Sequence, residues 1–488
     1  MEFDRLRYRR FLQEIFDGET GRWGDENVLI RVGSANSAAR TGGTLLSLVS
    51  TDADDVFHVV GRFAVRQDQP GILKRILAAG DVEQVPYPFG PAQEPLDFGT
   101  DEGCSGNDPN DADVADDERA ALAINTVDYV HLRSTRSSPL EQVRHVLDLL
   151  RDYRENASAP LAPLAPLAPL RPSSLPPVYP SIVAIHGLLS AQIFKPAEPY
   201  ERCEMVLPPA LSVANGRDVH VFDSGLAAER VWSTRRICKV AHDPDDPLLK
   251  PTGFLDFAGG HGTFVAGVCH QVDPGARVRV HLVGGTAGLV DETTVAARLA
   301  LLAASNPKPA VIVMAFGGYA NTVIGSGVAP ADRWGDMAIL RGAVARFLHD
   351  CPSCVIVAAA GNEQSSDPCY PAAFSSEFPD RVVAAGANVV GQTSAWFSNR
   401  GPWVNAHALG FGINSMFVTG NEDPAVDTPP DSFLGYATGA GTSFAAPIIA
   451  AMLTRCSVNS TVRQTWLGFV AASGGQAVQF GNGGVAHL

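Results

Sequence analysis

From residue 218 onward, short runs rich in valine, isoleucine and alanine alternate with helical segments. They are Asp218–Phe222, Arg277–Leu282, Ala310–Ala315, Val355–Ala360 and Arg381–Ala385. Strands this apolar are covered on both faces, and strands separated by helices join through parallel crossovers. The expected fold class is therefore α/β, a mostly parallel sheet flanked by helices. In such sheets chemistry collects at the carboxyl ends of the strands.

The chain has 488 residues, of which 45% are hydrophobic and 18% charged, enough for a large core and for two or three domains. With 37 basic and 52 acidic residues the formal net charge is −15. This sign disfavours nucleic acid, whose phosphates need a basic face, and also docking on anionic lipid. No apolar run reaches the ~18–20 residues needed to span a bilayer. Partners among nucleic acids or membranes are thus not expected. The start, Met1-Glu2-Phe3-Asp4-Arg5-Leu6-Arg7, has no apolar segment after its charges, and eight cysteines is too few for a disulfide scaffold. Reduced thiols and a cytoplasmic location are the expectation.

Four tandem Ala-Pro-Leu triplets run from Ala159 to Leu170, followed by Pro172, Pro176, Pro177 and Pro180. Proline at every third position favours a polyproline II spacer. Three parts are expected: an N-terminal α+β domain over 1–157, a Pro-rich linker over 158–180, and a larger domain over 181–488. In the first part Asn27–Val32, Val56–Val65 and Val82–Val85 read as strands, and Gly71–Ala79 as a short helix. Asp101–Glu118 holds eight acidic residues and no basic one, and reads as a solvated loop. Ser138-Pro139-Leu140-Glu141 starts a second helix, with Leu140, Val143, Val146, Leu147 and Leu150 on one face.

Four residue groups in the larger domain bear chemistry. Val219-His220-Val221-Phe222-Asp223-Ser224-Gly225 ends a buried strand in an aspartate. Gly259-Gly260-His261-Gly262-Thr263-Phe264-Val265-Ala266-Gly267 opens a small-residue helix with a histidine. Ala358-Ala359-Ala360-Gly361-Asn362-Glu363 ends an apolar strand in Gly-Asn. Gly439-Ala440-Gly441-Thr442-Ser443-Phe444-Ala445-Ala446-Pro447 puts a serine at the start of an apolar helix reaching about Leu453. Taken singly, each has an ordinary reading as a turn residue, a cap or a packing residue. Taken together, they supply a nucleophile, a base, an acid to orient the base and an amide donor, the parts of a Ser-His-Asp hydrolase.

Phe222-Asp223-Ser224-Gly225, His261–Gly267, Ala359-Ala360-Gly361-Asn362 and Gly441-Thr442-Ser443-Phe444-Ala445-Ala446-Pro447 resemble the signatures of the subtilisin-like serine peptidases, the subtilases. Ala315-Phe316-Gly317-Gly318, Tyr370-Pro371-Ala372 and Phe397-Ser398-Asn399-Arg400-Gly401 resemble further landmarks of that family. The resemblance covers roughly residues 200–488 and implies a subtilisin-like sheet. It implies Ser443 as nucleophile, His261 as general base, Asp223 as the group fixing the imidazole, and Asn362 in the oxyanion hole. It further implies a peptide or protein substrate lying along Ala315, Phe316, Gly317 and Gly318. Ala359, Ala360 and Gly361 would wall the S1 pocket, with Cys369 at its base. Such a pocket is expected to be apolar and of medium size.

Ser224 stands where many relatives carry threonine, and around Ala406–Gly410 the family's Ala-Pro-Gly is replaced, so a rebuilt loop is expected there. Glu422 and Asp423 show no recognisable ligand spacing, and Cys351-Pro352-Ser353-Cys354 lacks a second pair to make a zinc site. No metal and no cofactor is expected. The sequence thus points to a serine endopeptidase working through an acyl-enzyme. The alternatives are a dedicated maturation or defence protease with one partner protein, and a non-catalytic peptide-binding scaffold. The N-terminal domain reads either as a prosegment or as a regulatory unit, and a partner could engage it or the Pro-rich linker.

Overall fold

The computed structural model describes residues 217–228, 236–240, 254–255, 258–284, 289–319, 338–391, 394–421, 430–457 and 459–480. In the chain before them it describes the backbone of seven strands. Among the described residues eight strands form one sheet: β1 (Asp218–Asp223), β2 (Ile237–Lys239), β3 (Arg277–Leu282), β4 (Val311–Met314), β5 (Val355–Ala359), β6 (Val382–Asn388), β7 (Ala406–Leu409) and β8 (Val478–Phe480). Their order is β8-β7-β6-β5-β4-β1-β3-β2, and every neighbouring pair is parallel. The apolar runs become the central strands. The segment at 406–410, expected as a rebuilt loop, instead supplies β7.

Successive side chains of a strand point to opposite faces, so the sheet feeds two cores. Val219, Val221, Val278, Val280, Val311, Val313, Val355 and Val357 enter one. That core is closed by helices α1 (His261–Val272) and α4 (Thr442–Cys456). Phe222, Ile312, Met314, Ile356 and Ala358 enter the other, closed by α2 (Glu292–Ala304) and α3 (Ala338–Asp350). A fifth helix, α5 (Val462–Ala472), starts in a capping box between Thr461 and Gln464. The strands Ile413–Asn421 and Ser432–Gly439 form an antiparallel pair, which Lys195–Pro196 extends.

Six strands before residue 186 pair antiparallel with one another, in the order Val28–Ile30, Thr44–Ser50, Asp55–Arg66, Tyr129–Ser134, Val82–Gln84, with Val178–Ile185 also on Asp55–Arg66. Three of them coincide with the runs read as strands at 27–32, 56–65 and 82–85. The helices read at 71–79 and 138–150, the acidic segment and the triplet repeat lie outside the described residues. Val178–Ile185 begins within the last residues assigned to the linker and pairs on its other side with Leu289–Asp291. Among the described residues no helix is long and apolar enough to cross a membrane.

Candidate active site

Asp223 is the last residue of β1 and His261 the first of α1. His261 Nδ1 lies 2.7 Å from Asp223 Oδ1, with both side chains fully buried. Three local devices hold them. Gly225 turns the chain after β1 with φ 101°, a conformation suited to glycine. Ser224 Oγ accepts the Gly262 N–H at 3.1 Å, satisfying one of the amides that a helix start leaves unbonded. Thr263 Oγ1 accepts the Ala227 N–H at 2.9 Å. A carboxylate at Nδ1 fixes the ring's tautomer and turns Nε2 into the proton acceptor.

Ser443 is the second residue of α4 and is 3% exposed. Its Oγ donates to Ala315 O at 3.0 Å, just past the end of β4. Phe444, the next residue, packs on Phe264 of α1, with ring centroids 4.5 Å apart, and lies 5.7 Å from the His261 ring. The serine and histidine helices are thereby locked side by side in one core.

Asn362 follows β5 and is 1% exposed. Its Oδ1 accepts the Thr442 N–H at 2.9 Å and the Thr442 hydroxyl at 3.0 Å, while Thr442 Oγ1 accepts the Gly361 N–H at 3.0 Å. These bonds fix the amide with its oxygen toward Thr442 and its NH₂ toward the opposite side. They also satisfy an orphan amide at the start of α4. A hydroxyl on a helix N-terminus, where the dipole is positive, together with an oriented amide and an oriented imidazole, can carry out acyl transfer.

The remaining expected residues gather around these groups. Ala315 and Phe316 continue from β4, and Gly318–Tyr319 pairs antiparallel with Cys369–Tyr370. A Cβ on Gly317 would meet Cys369 Sγ at 2.6 Å, so glycine is required for this approach. Ala359, Ala360 and Cys369 are buried. Gly361 has φ 102°, which glycine tolerates without strain. Glu363 Oε2 accepts the Asn362 N–H at 3.0 Å, so this carboxylate folds back on its own loop.

Sequence reasoning did not single out Thr442 and Asn399, which hydrogen-bond respectively to Asn362 and to the loop that carries it. Both lie inside quoted motifs, but their partners are distant in the chain and no spacing reveals them.

The model of the subtilase family matches residues 215–461, half of the chain. The extracellular serine proteinase of Thermus sp. (strain Rt41A) is 30% identical over 215 residues, which are 42% of this chain and 45% of that protein. The chain thus spans under half the length of this curated relative. Among solved structures, a cold adapted subtilisin-like serine proteinase is similar at 20% identity and a TM-score of 0.38, over 59% of this chain and 90% of that one.

The expectation of a cytoplasmic location is corrected. The Thermus relative is an extracellular protein. The expectation rested on the residues at Met1–Arg7 and on the cysteine count, and these do not decide the compartment. Among the described residues Cys269, Cys351, Cys354 and Cys456 are free thiols. Cys238, however, is disulfide-bonded, and such bonds persist in oxidising compartments.

Proposed function

Since this chain belongs to the subtilase family, we propose that it is a serine endopeptidase working outside the cytoplasm, with Ser443, His261 and Asp223 as its triad. The observation that carries this reading is the buried 2.7 Å contact between His261 Nδ1 and Asp223 Oδ1, set beside the helix that bears Ser443. A buried imidazole facing a buried carboxylate is the arrangement that a serine nucleophile needs.

An extended peptide lies along Ala315–Gly318, and its P1 side chain enters the pocket walled by Ala359, Ala360 and Gly361 over Cys369. Ser443 Oγ attacks the scissile carbonyl and passes its proton to His261 Nε2. The carbonyl oxygen gains negative charge, which the Asn362 NH₂ and the Ser443 backbone N–H stabilise. The C–N bond breaks as the imidazolium gives its proton to the departing amine. Water then attacks the acyl-enzyme by the same route, returning the proton to Ser443. Asp223 holds the ring and balances its transient charge throughout.

The test compares wild type with Ser443→Ala. Wild type is expected to hydrolyse peptides and to take up a fluorophosphonate probe, and the variant to do neither. Labelling that survives in the variant would overturn the reading.

The division at 158–180 belongs to the same proposal, with 1–157 acting as a prosegment or regulatory unit for the peptidase in 181–488. The pairing of Val178–Ile185 with both Asp55–Arg66 and Leu289–Asp291 supports a functional link between the two parts. Processing would appear by mass spectrometry as cuts between Pro160 and Pro209 in wild type, absent in Ser443→Ala. Intact full-length wild type in active samples would exclude maturation by self-cleavage.

A further inference from the structure

The loop that carries Asn362 holds an unusual backbone. Gly361 has φ 102° and Gln364 has φ 56°, and a non-glycine residue in the left-handed region is disfavoured unless its surroundings impose it. Those surroundings are the segment Phe397–Arg400, which runs against the loop. Gln364 N donates to Phe397 O at 2.9 Å, and Arg400 N donates to Ser365 O at 2.8 Å.

At the centre of that segment is Asn399, fully buried. Its backbone N–H donates to Gly361 O at 2.9 Å and its Nδ2 to Ala360 O at 2.8 Å. Its Oδ1 accepts the N–H of Glu363 at 3.1 Å and of Ser365 at 2.9 Å. The side chain therefore grips the loop on both flanks of Asn362, donating to Ala360 before it and accepting from Glu363 and Ser365 after it. A primary amide offers both roles at once, a donor on one arm and an acceptor with two lone pairs on the other.

We propose that Asn399 is a positioning residue that sets the oxyanion-hole amide of Asn362. This rests on the peptidase reading above. An oxyanion donor is effective only within about 2.7–3.1 Å of the developing charge. Thr442 fixes the Asn362 side chain, and Asn399 fixes the backbone from which that side chain springs. Asn399 is itself buried beneath the loop, so it acts through Asn362 and touches no substrate. A misplacement of 1 Å costs on the order of 10²-fold in rate.

The experiment is a double-mutant cycle in the full-length chain, with Asn399→Ala, Asn362→Ala and the pair. The readouts are kcat and KM on a peptide substrate, fluorophosphonate labelling, and thermal unfolding. Asn362→Ala is expected to lower kcat by about 10²–10³, a magnitude carried over from a subtilisin. Asn399→Ala is expected to lower kcat by about 10²-fold with KM nearly unchanged. In the Asn362→Ala background the same change is expected to cost less than about twofold, whereas independent residues would add within that margin. Should Asn399→Ala fail to fold, Asn399→Asp keeps the acceptor for both amides, loses the donor, and carries the same comparison. Equal losses in both backgrounds, or undiminished kcat in the single variant, would overturn the positioning role while leaving the peptidase reading intact. A wild type that neither hydrolyses peptides nor takes the probe would overturn both.

Discussion

His261 and Asp223 meet across 38 residues of chain at 2.7 Å, the imidazole heading α1 and the carboxylate ending β1. In Asp223→Asn the shape survives but the anion does not, and the amide can present a donor to Nδ1, which favours the wrong tautomer. The expected result is a fall in kcat of about 10⁴, the size seen in other serine peptidases, with an unchanged melting temperature. Steady-state kinetics beside thermal unfolding checks both halves. A fall under tenfold would remove Asp223 from the mechanism.

Gly262 lies where α1 presses on the turn after β1. A Cβ there would clash with the Gly225 carbonyl oxygen and come within 3.1 Å of Asp223 Cβ. Both neighbours are fixed, so the helix start must shift away from the carboxylate. Gly262→Ala is expected to cost about 3 kcal/mol of stability and about 10²-fold in kcat. Denaturant unfolding and initial rates measure the two effects, and a variant matching wild type in both would show that the contact is slack.

Acid should destabilise the protein through buried histidines outside the triad. His220 Nδ1 and His281 Nε2 lie 2.9 Å apart on β1 and β3, near Asp218, Arg277, Arg279 and Arg298. Burial, aided by the nearby arginines, pushes His220 down to about 4 and holds His281 well below the ordinary histidine range. Burial also pushes His407 down to about 4. Unfolded, such groups titrate near ~6.5. Between there and about 4 the unfolded chain binds protons that the folded chain refuses. Stability is then complete above pH ~6.5 and is lost as the pH falls, by up to about 1.4 kcal/mol per pH unit for each histidine. Melting temperatures from pH 7 to 4 should show this slope, shallower in a His220→Gln, His281→Gln double variant.

The walls proposed for S1 are alanine, glycine and a thiol, and Glu363 is engaged with its own loop. Peptides with Leu, Met or Phe at P1 are expected to exceed those with Arg or Asp by about 10²-fold or more in kcat/KM, because an unpaired charge would be buried there. A library varied at P1 decides this, and a profile led by arginine would contradict it.

The central strands were legible because burial on both faces demands uninterrupted apolar residues. Arg277–Leu282 was read to the residue, and Val355–Ala360 to within one. The last two strands on one side of the sheet were harder. Ala406–Leu409 includes His407, and Val478–Phe480 is a three-residue run with glutamine at its centre, so neither carries a strong periodic signal. At the candidate site, Asp223, His261, Asn362 and Ser443 stood out only as a set, whose surrounding motifs resemble the subtilase signatures. Thr442 and Asn399 did not. Their roles depend on which carbonyls and amides tertiary packing brings to them, and threonine or asparagine next to a turn is common for local reasons.

Ser443 reaches back 128 residues to touch the carbonyl of Ala315. During synthesis the ribosome therefore delivers the aspartate, the imidazole and the amide long before the alcohol. On the proposed reading, a growing polypeptide holds three of the four proposed catalytic groups before the nucleophile has been made. Ser443 arrives only when most of the sheet that must hold it has already emerged.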